Sequence, residues 1–163
     1  VSTTDGLPVH ILLVHFIVVL APLTAVLAIG SSIWPAMRNR LVWLVAVLAV
    51  VTLVVTPLTT DAGEWLEKRV PESASVETHA ELGDSMLYIA LGLALVAALL
   101  VAQHIRDRRG TQPVKWQSIA GIVFAVVIGV ATIVQVYRIG ESGARAAWED
   151  AFTSAPAQDG PGE

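Results

Sequence analysis

The sequence predicts an all-α integral membrane protein, an antiparallel bundle of four helices with both termini outside the cell. Three observations predict it. Residues 6–37, GLPVHILLVHFIVVLAPLTAVLAIGSSIWPAM, contain no Asp, Glu, Lys or Arg, and about 20 apolar residues are enough to cross a bilayer. Further uncharged segments follow at residues 41–60, 85–105 and 116–137, each long enough to span as a helix. The chain as a whole is 55% hydrophobic and only 15% charged, where soluble domains carry about 25% charged residues. Its mean hydropathy is +0.67.

Each span has its own local signals. The opening stretch has no basic residue before its apolar run, and that run is too long for a signal peptide, so it reads as a retained span over residues 8–36. Pro8 suits a first helical turn, where a missing N–H costs nothing. Pro22 lies inside the span and is expected to kink it, freeing a carbonyl near Val18. The second span, residues 41–61, is expected to continue as a helix past the headgroups until Pro71 stops it. Thr78-His79-Ala80-Glu81 fits a capping box ahead of the third span, residues 79–105. The fourth covers residues 116–138, and residues 144–152 could form a short amphipathic helix anchored by Trp148. After Thr153 the composition turns to Ser, Ala, Pro, Gly, Gln and acids, which predicts disorder. Residues 1–152 therefore read as one transmembrane domain and 153–163 as a disordered tail.

Charge sets the expected orientation. Arg38, Arg40, Arg106, Arg108, Arg109 and Lys115 fall in the first and third connections, with Asp107 as the lone acid there, a net +5. The remaining segments hold four basic residues and 13 acids, a net −9. Basic loops stay cytoplasmic, so both termini are expected to be extracytoplasmic in a multi-pass protein of the cell membrane. Trp34, Trp43 and Trp116 fall at the expected cytoplasmic ends and Trp65 and Trp148 beyond the others, as in an aromatic belt. Ala90, Ala94, Ala98 and Ala102 form a small-residue stripe on the third span, and Gly121, Ala125 and Gly129 form another on the fourth. Small residues permit close backbone approach, so these two spans are expected to pack tightly.

The chemistry rests on histidines. There is no cysteine, which excludes disulfides, thiolate metal sites and cysteine nucleophiles. No phosphate loop, nucleophile elbow or dinucleotide fingerprint is present, so no catalytic residue is assigned and the chain does not read as an enzyme. His104, at the cytoplasmic end beside Arg106, reads as an ordinary interfacial residue. His10, His15 and His79 all fall toward the other leaflet. His10 and His15 are five residues apart, about 140° around a helix, which is poor for chelating one ion together. One of them can face the bundle while the other faces elsewhere. With His15 inward, His79 could approach from a different helix, an arrangement that holds haem or a metal ion in other bundles. Thr59, Thr60, Asp61, Glu64, Glu81, Asp84 and Glu141 could orient the rings. A proton or polar relay, or a structural role in satisfying a freed carbonyl, are the alternatives. The expected partners are the lipid bilayer and a membrane protein or second copy; nothing points to nucleic acid.

Three motifs, LPVHILLVHF, TTDAGEWLEKRVPESASVETHAELGD and GESGARAAW, together resemble a bacterial membrane family filed as domain of unknown function 2231. The resemblance covers residues 6 to about 150 and implies four membrane helices without an established activity. Some relatives are fused to cytochrome c-like modules, which implies a redox association. The resemblance maps His10 and His15 onto the opening pair and His79 onto the histidine before the third helix. Where relatives often have a histidine in the last motif, this chain has Glu141. The expected cofactor is haem b or a transition metal at His15, His79 and His10. A bare ion would be held by His10, His15, His79 and Glu141. A non-catalytic scaffold or interaction protein is the alternative.

Overall fold

The computed structural model describes residues 3–4, 7–111 and 114–153. A two-residue ladder pairs β1 (Thr3–Thr4) antiparallel with β2 (Leu7–Pro8). The rest is helix: α1 (Val9–Ile33), α2 (Pro35–Glu67), α3 (Ala74–Arg108) and α4 (Lys115–Thr153). Each contains a window apolar enough to cross a membrane, with mean hydropathy of 2.5 to 2.7. At about 1.5 Å per residue, the 33 residues of α2 and 35 of α3 outreach a hydrocarbon core of about 30 Å. They project beyond it together with the end of α4. Consecutive helices pack side by side and α4 closes the ring on α1, leaving α1 and α3 facing across the diagonal. One end of the bundle carries His10 and His79. The other, called the arginine end below, carries Arg38, Arg40, Arg106, Arg108 and Arg109.

Helix boundaries fall where backbone chemistry dictates. The α1–α2 break is a single residue, Trp34, in extended conformation ahead of Pro35 at the first helical position, because the residue before a proline is driven out of the helical region. The turn was expected at residues 38–40. It lies earlier, so Arg38 enters a helical turn and can point inward. At the start of α3 the cap is Ser73, whose hydroxyl accepts from the Val76 N–H at 3.3 Å, and not Thr78. Ser73 is the first capping side chain after Pro71, and Thr78 instead donates to the Ala74 carbonyl within the helix. Gly110, at φ 73°, ends α3 as only glycine does cheaply. The Thr111 N–H reaches back to the Arg106 carbonyl and the Gly110 N–H to that of Asp107. Residues 144–152 are no separate helix; they continue α4. The expected tail disorder lies outside the described residues.

The core has two apolar parts. Toward the arginine end, Ala25, Ala28, Val42, Val45, Ala49, Leu93, Val96, Ala97, Leu100 and Ala125 cluster, and toward the histidine end Ile17, Ala21, Met86 and Val136 do. The buried Thr24, Thr52, Thr56 and Thr132 also line the interior. Each donates its hydroxyl to the carbonyl four residues back, so none of these four hydroxyls is left unpaired in lipid. Bulky apolar side chains such as Val19, Val47 and Ile119 face outward, where lipid replaces water.

The small-residue expectation holds on one helix only. On α4, Ala125 is buried, and a Cβ on Gly129 would meet Ile29 of α1 at 2.6 Å. On α3, Ala90 is buried but Ala98 and Ala102 are exposed. A four-residue repeat drifts about 40° per step around a helix, so the stripe leaves the interface. Ala90, Leu93, Ala97, Leu100 and His104 occupy it instead. Helices α3 and α4 still approach closely, with Ile128 against Gly92.

Candidate functional site

His10 lies in the first turn of α1 and reaches across to α2. Its Nδ1 is 2.9 Å from the Thr59 carbonyl oxygen. A carbonyl only accepts, so Nδ1 carries the proton and Nε2 keeps its lone pair. The ring lies over Gly63, where a Cβ would stand 3.0 Å from His10 Cε1. Any other residue at position 63 would push the imidazole aside.

His79, in the second turn of α3, does the same toward α4. Its Nδ1 is 3.0 Å from Ser142 Oγ. That hydroxyl already donates to the Ile139 carbonyl at 3.0 Å, so it accepts from His79 Nδ1–H, and here too Nε2 is left with its lone pair. A Cβ on Gly143 would come within 2.9 Å of His79 Cε1. Just beneath, Gln135 donates to the Leu82 carbonyl and to Ser85 Oγ at 3.0 and 2.7 Å, fastening α4 to α3. The two imidazoles come together across the diagonal, their centroids 6.2 Å apart and their planes at 87°. Among the described residues no hydrogen bond engages either Nε2.

The expectation that one of the opening histidines faces the bundle while the other faces elsewhere is met, but the inward one is His10. His15 is exposed on the outside of α1, its Nδ1 turned back on the Ile11 carbonyl of its own helix at 2.6 Å. His15 and His79 are thus not brought together: α1 is turned so that His10, and not His15, lies over Gly63. Glu141 does not join the pair either: it binds Arg145 at 2.6 Å on the exposed face of α4, one position away from the Ser142–Gly143 face that meets His79. Asp61, Glu64, Glu81 and Asp84 are exposed as well, and Thr59 contributes its carbonyl. No group of three or more metal-ligating side chains forms among the described residues. Sequence reading missed Gly63, Ser142 and Gly143. Their signal was glycine inside helical stretches, which costs about 1 kcal/mol against alanine and needs a packing reason.

The arginine end holds a second polar cluster that the sequence reading did not place. Arg38 is 9% exposed and binds Asp107 at 2.6 Å, joining the start of α2 to the end of α3. His104 is 2% exposed. Its Nδ1 meets Asn39 Oδ1 at 3.1 Å, and its ring packs edge-on against Trp43.

The chain matches the family described as predicted membrane protein (DUF2231) over residues 6–156. No curated protein and no solved structure matches it.

Proposed function

The chain belongs to the DUF2231 family of predicted membrane proteins, and from that premise we propose a multi-pass membrane subunit that holds one transition-metal centre, a haem iron or a bare ion, between His10 and His79. The observation that carries it is the pair itself. Imidazoles from diagonally opposite helices each spend Nδ1–H on a protein acceptor and keep Nε2 as a donor, which is how ligating histidines are oriented elsewhere. Their spacing agrees. The ring centroids stand 6.2 Å apart, close enough for two imidazoles with metal–nitrogen bonds of about 2.0 Å to share one ion. The role is redox-associated, and the arginine end is cytoplasmic by the positive-inside rule, so the centre faces the extracytoplasmic side of the cell membrane.

An absorption spectrum and elemental analysis of detergent-purified protein test this. A Soret band, or a stoichiometric metal, that is lost in His10→Ala and His79→Ala supports the reading. The second reading is a non-catalytic scaffold with a membrane-protein partner or a second copy, favoured by the lack of a third ligating side chain among the described residues. A clean spectrum with no metal leaves that one standing.

A further inference from the structure

The two halves of the site repeat one another. In the hairpin α1–α2, a histidine near the start of the first helix covers a glycine near the end of the second, with Nδ1 on the carbonyl four residues before that glycine: His10, Gly63, Thr59. In the hairpin α3–α4 the corresponding residues are His79, Gly143 and Ile139, the last reached through Ser142 Oγ. Both hairpins turn at the basic end of the bundle, and the two histidine-bearing helices are the pair that meet across the diagonal. An approximate two-fold relation that exchanges α1 with α3 and α2 with α4 would pair these residues one for one.

We infer that the chain is two copies of one histidine–glycine hairpin related in this way, and that its ligand is a single univalent copper ion held linearly by His10 Nε2 and His79 Nε2. This rests on the metal-centre reading above and specifies its occupant. Two neutral nitrogen donors and no carboxylate make a poor site for zinc, which takes four ligands, or for magnesium and calcium, which take six or more oxygens. Imidazole suits copper among the first-row metals, and univalent copper, with its filled d shell, is content with two opposed donors. A single charge also costs less to bring into a half-buried site than a double one. A porphyrin needs flat space beside its axial ligands, and here the glycine faces of α2 and α4 are covered by the imidazoles themselves.

The test uses full-length protein in detergent, loaded anaerobically with copper kept univalent by ascorbate and titrated against a chromogenic copper(I) chelator. One copper per chain is expected. X-ray absorption should show two nitrogen donors with the outer-sphere scattering of two imidazoles. His10→Ala and His79→Ala should each weaken binding by at least about 100-fold, more than loss of an orienting partner costs, and to similar extents. His15→Ala should bind normally. A coordination number of three or four, dependence on only one of the two histidines, or purification with a Soret band overturns the copper assignment while leaving a metal centre. Absence of copper, haem and every other metal overturns both readings. If the alanine variants do not fold, the absorption spectrum of the wild-type protein decides by its donor count.

Discussion

The two ends of the bundle both set histidine among polar partners, buried at one end and half-buried at the other. At the arginine end, side chains satisfy one another: Arg38 with Asp107, and His104 with Asn39 while Trp43 covers the ring. These bonds join the start of α2 to the end of α3, across 69 and 65 residues of chain. At the histidine end, each imidazole bonds to a neighbouring helix through one nitrogen only, and glycine lets it lie flat there. The second nitrogen remains available. What separates the two ends is depth and company: His104 is 2% exposed and packs against Trp43, whereas the half-buried His10 and His79 lie beside one another.

Removing the ion pair is the strongest way to break this contrast. Asp107→Ala leaves the Arg38 guanidinium buried without its counter-charge. The expected loss is about 3 kcal/mol, the low end for a broken buried pair, because the Asp107 side chain is still 31% exposed. Denaturant unfolding in detergent should show it, with metal content at the other end unchanged. A parallel loss of metal would mean that the ends are not independent.

Gly143→Ala sharpens the comparison next. The new Cβ meets a rigid ring at 2.9 Å, and overpacking of that kind costs about 1–3 kcal/mol. Three residues earlier on the same helix, Gly140 faces open space, so Gly140→Ala should stabilise by up to about 1 kcal/mol through helix propensity. Opposite signs in thermal unfolding are expected, and equal signs would argue against a seat for His79. Ser142→Ala frees the His79 ring without touching Nε2. It should lower metal affinity by about tenfold, as loss of an orienting partner does, with little change in melting temperature. The smallest effect is expected at Glu141→Gln. An exposed i,i+4 pair contributes at most about 0.5 kcal/mol, so neither stability nor metal content should move measurably; a lost metal would bring Glu141 back as a ligand.

Charge and hydropathy are local properties, and they alone determined where this chain crosses a membrane. Uncharged stretches bounded by charged residues such as Arg38 and Arg106 made four helices and a basic end legible from residue order, although the first turn itself falls at Trp34. The five-residue interval between His10 and His15 likewise allowed one to face the bundle while the other faces elsewhere. Which one was decided by tertiary structure, which turns α1 so that His10 lies over Gly63. The same holds for Glu141 and Ser142. They are neighbours in sequence, about 100° apart on a helix, and only the packing of α4 on α3 turned the serine inward and the carboxylate out. Pairings such as Arg38 with Asp107 and His10 with His79 span 69 residues each. A rotation angle or a contact across that distance is a property of the assembled bundle, which no local stretch of sequence encodes.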